Sequence, residues 1–76
     1  MGGQEDRLYA IQINGLCGET FYVEDGCDVA KKMFAYCEKE FKFSGDKWEE
    51  IKEDYDYYAM GEMIVAAGGE YEECCA

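Results

Sequence analysis

The sequence predicts an α+β domain: a small antiparallel sheet, built from a hairpin and a charged edge strand, with one main amphipathic helix and a shorter C-terminal helix covering one face. Three observations lead there. Two stretches alternate apolar and polar residues, one stretch repeats its apolar residues every three to four positions, and 76 residues leave room for one core only. A chain of this size buries only about 60% of the surface that its unfolded form exposes. Residues 1–76 are therefore read as a single domain, with 1–6 and 70–76 as flexible tails.

Strand one begins at Arg7. Tyr9, Ile11 and Ile13 fall on one face, and Leu8, Ala10 and Gln12 on the other. Asn14-Gly15 is a turn signal, and Gly18 soon after points to a connection slightly longer than a two-residue hairpin. In strand two, Phe21 and Val23 alternate with Thr20, Tyr22 and Glu24, and Asp25-Gly26 ends the run. Asp28 is the expected N-cap of a helix over residues 28–43, because its carboxylate can accept from the orphan amides of the first turn. Along that helix Val29, Met33, Cys37 and Phe41 form an apolar stripe that Ala30 and Phe34 widen. Lys39 and Lys42 complement the C-terminal dipole, and Ser44-Gly45 stops the helix.

Residues 46–67 admit two readings. Trp48, Ile51, Tyr55 and Tyr58 fit a helical stripe, with Asp46 and Glu49 resembling a capping box. Alternatively residues 47–54 form a third strand and 56–67 a helix; a two-stranded hairpin is marginal alone, and the Glu49, Glu50, Lys52, Glu53 and Asp54 charges suit a protected sheet edge. The strand reading is preferred. Residues 57–67 are apolar nearly all round and end at Gly68-Gly69, which predicts a short buried helix.

Composition narrows function. At 49% hydrophobic and 16% aromatic the chain is too apolar to stay unfolded despite a net charge of −11. Its longest apolar run, Met63–Ala67, is far short of a membrane span, so a soluble, cytoplasmic protein is expected. The absence of His removes the commonest general base and zinc ligand, and an acidic surface is repelled by nucleic acid and anionic lipid. Cysteines at 17, 27, 37, 74 and 75 offer no Cys-x-x-Cys pair, and their odd number cannot close a full disulfide framework. Asp54-Tyr55-Asp56 opens like a calcium loop, but Ala59 and Val65 stand where its glycine and glutamate belong. The expectation is no enzyme, no metal and no cofactor.

What remains is the placement of charge. Residues 1–45 hold 8 acidic and 5 basic side chains, net −3, whereas residues 46–76 hold 10 and 2, net −8. Within that acidic half Glu49, Glu50, Glu53, Asp54 and Asp56 are interleaved with the aromatic residues Trp48, Tyr55, Tyr57 and Tyr58, and the five acids with Trp48, Tyr55 and Tyr57 are the expected partner-binding residues. Carboxylates complement Lys and Arg, while aromatic rings supply apolar anchors. In a competing reading the rings are core and the acids a solubilising face.

In size, charge and composition the chain resembles the small acidic inhibitors encoded by bacteriophages, of the anti-CRISPR and DNA-mimic type. That resemblance implies an inhibitor in the host-cell cytoplasm that occupies a basic, nucleic-acid-binding surface of a nuclease or CRISPR effector. It assigns no residue a role. Two other classes stay open: a cysteine-based metal or redox regulator, and a structural module that homodimerises.

Overall fold

The computed structural model describes residues 9–24 and 26–75. It is an α+β fold in the order β1 (Tyr9–Ile13), a single 3-10 turn (Gly15–Cys17), β2 (Glu19–Val23), α1 (Asp28–Phe41), α2 (Asp46–Asp54), α3 (Tyr57–Ala66) and β3 (Tyr71–Cys75). The sheet order is β2-β1-β3, antiparallel throughout. In the hairpin Ile11 faces Phe21 and Tyr9 faces Val23; on the other side Ile13 faces Tyr71. One face of the sheet thus carries Ile11, Ile13 and Val23, all fully buried under the helices. The start of strand one at Arg7 and Leu8, and the tail at residues 1–6, lie outside the described residues.

Helix α1 supplies the other half of the core through Ala30, Met33, Phe34 and Cys37, spaced i, i+3, i+4, i+7. Val29, expected in this stripe, is instead 37% exposed. It lies one residue, or about 100°, from Ala30, which is fully buried where the stripe begins, so Val29 falls at the margin of the stripe. The N-cap also differs from expectation. Cys27 occupies it, its Sγ accepting from the amide of Ala30 at 3.3 Å, and Asp28 becomes the first helical residue, where its charge still favours the dipole. The helix ends at Phe41, two residues before the expected stop, because Lys42 turns left-handed at φ 58°.

Two sequence expectations are overturned. Residues 47–54 form helix α2, not a strand. Alternation would put Trp48 beside Glu50 and Lys52 on one face and Ile51 beside Glu49 and Glu53 on the other, leaving neither face apolar; helical spacing collects Trp48 and Ile51 on one side, where both are buried. The cap there is Gly45, which has no side chain to give, so Asp46 and Glu49 are first-turn acids and do not form a capping box. Residues 71–75 are strand β3, not a flexible tail. Gly68 at φ 93° turns the chain back, and Asn14 clamps its start: the Asn14 amide donates to the Glu70 carbonyl at 2.8 Å, and Oδ1 accepts from the Glu70 amide at 3.2 Å. The edge strand exists, but it comes from the last residues.

Helix α3 forms as expected and buries Tyr57, Met60, Gly61 and Ile64, yet it is not buried all round: Tyr58 is 74% and Val65 60% exposed. Gly61 permits the contact between α3 and β3, since a Cβ there would lie 2.5 Å from the Tyr71 ring. Phe34 stands at the centre of the aromatic core, its ring 5.8 Å from Trp48, 5.9 Å from Tyr55 and 6.1 Å from Tyr57. Phe34→Ala should therefore cost about 3–5 kcal/mol, and Val29→Ala less than about 0.5 kcal/mol. Urea denaturation of the two variants beside the wild type checks both numbers.

Candidate functional site

Helix α2 divides its residues cleanly. Trp48 and Ile51 point into the core, while Asp46, Glu49, Glu50, Glu53 and Asp54 are exposed. Tyr55 closes the helix in a left-handed conformation, φ 50°, and its amide bonds back to the carbonyls of Ile51 and Lys52. Asp56 then starts α3, its carboxylate accepting from the Ala59 amide at 3.1 Å while the residue stays exposed. The expected carboxylates Glu49, Glu50, Glu53, Asp54 and Asp56 are thus brought together on one helix and the turn that follows it.

Two of the three expected aromatics face inward. Trp48 is fully buried and Tyr57 is 6% exposed, so neither can touch a partner. Tyr57 packs its ring against Tyr9, with centroids 5.7 Å apart, and Trp48 packs against Phe43 at 4.9 Å and Phe34 at 5.8 Å. Burial of their large apolar area contributes more in this small core than it could at a rim. Tyr55 is half-buried beside Phe34 and keeps part of its ring at the surface. The most exposed aromatic of this region is Tyr58, part of the interleaved pattern but not of the expected binding set; a sequence wheel of α3 alone gives no sign of which of three nearby tyrosines faces out.

A hydrogen-bonded cluster fixes α2 against α1. Glu38 accepts from the Trp48 indole N–H at 2.9 Å and from the Lys52 ammonium, which also lies 3.2 Å from Glu49. The hydrogen bond from Lys52 and then that from Trp48 hold the Glu38 carboxyl below the usual carboxylate range, and the bond to Glu38 raises the Lys52 ammonium. Lys52 is consequently engaged by Glu38 and Glu49, and α2 carries Lys47 besides it against five carboxylates. Below the helix, Asp46, Glu50, Asp54 and Asp56, together with Lys47, surround a shallow depression of about 350 Å³ that reaches Ile51 and Ala59. Ile51 and Ala59 beneath four carboxylates suit the stem and head of a lysine or arginine side chain, four negative charges outweighing the one of Lys47.

The cysteines are scattered. Cys17 and Cys74 are exposed, Cys27 caps α1, and Cys37 is buried in the core; the Cys75 side chain lies outside the described part. Among the described residues no group of three or more Cys, Asp or Glu is placed to hold a metal ion. Among them too, no helix is long and apolar enough to cross a membrane. Comparison with protein-family models, with curated proteins and with solved structures finds no match.

Both members of the Glu38–Lys52 pair touch solvent, so the ion pair alone carries little stability; the larger weight falls on the buried indole N–H that Glu38 satisfies. Glu38→Ala should cost about 1–3 kcal/mol at neutral pH, and Glu38→Gln, whose amide oxygen still accepts from the indole, distinctly less. The ionic contribution is fully present above the ordinary glutamate range, near pH 4.3, and is lost as pH falls through the lower folded value. The gap between wild type and Glu38→Gln should accordingly close on acidification, as urea melts at neutral pH and near pH 3 would show.

Burial, and secondarily the charge of Glu38, push the Cys37 thiol up to about 12. Iodoacetamide at about pH 8 should then modify Cys17 and Cys74 in the native protein and reach Cys37 only in urea. Peptide mass mapping reads each site separately.

Proposed function

We propose that this protein is a non-enzymatic acidic inhibitor that presents the exposed face of α2 to a basic, nucleic-acid-binding surface on another protein and competes for it. The supporting observation is the density of charge on that face. Nine residues at about 1.5 Å rise make a helix of about 13.5 Å that carries five carboxylates, about one per 2.7 Å. Phosphate charge falls at about one per 1.7 Å along duplex DNA and one per 3.4 Å along a single strand, so the helix lies within the range that a basic groove accommodates.

Asp46 and Glu49 suit the first turn of the helix, but the rest of the acidic face is not explained by the needs of the helix. Glu53 and Asp54 stand in the last turn, where the dipole opposes negative charge, and Asp46–Glu50, Glu49–Glu53 and Glu50–Asp54 are like charges four residues apart. Each such pair disfavours the helix by a few tenths of a kcal/mol. A purely solubilising face could alternate signs at no such cost. Lysines and arginines of a partner would relieve the repulsion, the depression beside Ile51 receiving one of them. By the resemblance drawn from size and charge, the target class is a nuclease or CRISPR effector, and the setting the cytoplasm of a phage-infected host.

The test is competition. Labelled DNA or guide RNA is bound to a nuclease or CRISPR complex and titrated with wild type and with a variant carrying Glu49→Gln, Glu50→Gln, Glu53→Gln, Asp54→Asn and Asp56→Asn; asparagine at 56 keeps the α3 cap. Wild type should displace the nucleic acid, less well at high salt, and the variant should be weaker by more than about 30-fold, the ratio that 2 kcal/mol represents. Equal displacement by both, or displacement indifferent to ionic strength, would sink the reading.

A further inference from the structure

We propose that the outer edge of β3, with the groove between β3 and α3, is a docking site for an extended basic segment of another protein, which joins the sheet as a fourth strand.

The sheet order leaves β3 at an edge. The Asn14–Glu70 bond fixes which of its backbone groups face outward: with that pair hydrogen-bonded, the antiparallel alternation makes Gln12–Glu72 and Ala10–Cys74 the next bonded pairs. The N–H and C=O groups of Tyr71 and Glu73 therefore point away from β1. Among the described residues no strand lies beyond them. Such a row is a template for strand addition.

Beside this edge Tyr58, Gly61, Val65 and Ala66 of α3, together with Tyr71 and Glu62, line a mainly apolar depression of about 490 Å³. Tyr58 and Val65 are the two most exposed large apolar side chains of the helices, and both belong to it. Tyr71 faces the helical side of the sheet, as its partner Ile13 does, so every second side chain of an added strand would point toward the groove. The open backbone and the apolar groove thus suit the two halves of one ligand, an extended chain with an apolar residue.

Charge selects that ligand. From Glu53 to Ala76 the chain contains no Lys, Arg or His, while Glu62 lines the groove and Glu72 and Glu73 lie on the edge strand itself. Tyr71 donates to Glu73 at 2.8 Å and holds that carboxylate beside the strand. A second copy of this chain would bring like charges against each of these, whereas a segment alternating basic and apolar residues would meet the carboxylates with its cations and the groove with its apolar side chains. The groove shares no lining residue with the depression under α2, so the two surfaces can be tested apart.

The probe is a fluorescein-labelled peptide, Lys-Val-Lys-Leu-Lys-Val-Lys, beside the same peptide with alternate backbone amides methylated, which keeps charge but cannot extend a sheet. Anisotropy should show saturable binding of the first and binding at least about tenfold weaker of the second. Glu73→Pro removes an outward N–H that the β1 ladder does not use, and should weaken binding at least tenfold with the fold retained by circular dichroism. Val65→Asn should weaken it severalfold. The amide variant of α2 should still bind within about twofold, which keeps this site separate from the fate of the α2 reading. Equal binding of both peptides, no binding up to 1 mM, an effect of the α2 variant as large as that of Glu73→Pro, or a dimer in sedimentation that Glu73→Pro dissolves would each overturn the proposal.

Discussion

Trp48 holds the acidic helix in place. Helix α2 is nine residues long and buries only two side chains, too little for independent stability at that length. Its indole fills the space between Phe34 and Phe43, and the indole N–H reaches out of the core to Glu38 on α1. One side chain thus supplies packing, a satisfied polar group and the orientation of the helix. Because Trp48 points inward, the carboxylates two and five positions on, Glu50 and Glu53, must point outward, and Glu38 in turn draws Lys52 away from them.

Electrostatics sets the second constraint. A net charge of −11 on 76 residues opposes compaction, and the fold distributes it unevenly. Helix α1 and its cap carry Lys31, Lys32, Lys39 and Lys42 against Asp28, Glu38 and Glu40, close to neutral, while everything from Asp46 onward carries ten acids and two lysines. The acidic half meets the lysine-bearing half at the Glu38–Lys52 contact, where a carboxylate from the balanced side takes up a cation from the acidic one. Repulsion therefore remains concentrated on α2, α3 and β3, the elements that carry both proposed surfaces.

Much of the fold is written in local pattern. The alternation of Tyr9, Ile11 and Ile13 and of Phe21 and Val23, and the stripe through Met33, Phe34 and Cys37, specify the hairpin and α1 directly. Residues 47–54 were harder because their charges obscure a stripe of only two apolar residues, Trp48 and Ile51; propensity for an exposed edge and helical spacing compete over too few positions. β3 is illegible locally: Tyr-Glu-Glu-Cys-Cys has no alternation, and it becomes a strand because Asn14 and Gly61 receive it. Of the site, the five carboxylates could be read from sequence, since exposure is the default for charge. The inward fate of Trp48 and Tyr57 could not, because an aromatic ring suits a core and an interface equally well. The pairing of Glu38 with Trp48 and Lys52 joins residues ten and fourteen apart on different helices, a relation that no local periodicity encodes.

The position of β1 between its two neighbours carries a consequence for the order of folding. On one side it pairs with residues that follow within a short turn; on the other, Ile13 meets Tyr71 and Tyr9 meets Cys75, across 58 and 66 positions. At about 5–20 residues per second, the hairpin and α1 are synthesised seconds before the strand that completes the sheet. During that interval the central strand is itself an edge, with Ile11 and Ile13 awaiting their cover. Local contacts in the hairpin and helices form early, and closure by β3 comes last, after the largest loss of loop entropy. β3 therefore acts as a latch on an otherwise nascent core, and until it docks the central strand is open to its neighbours.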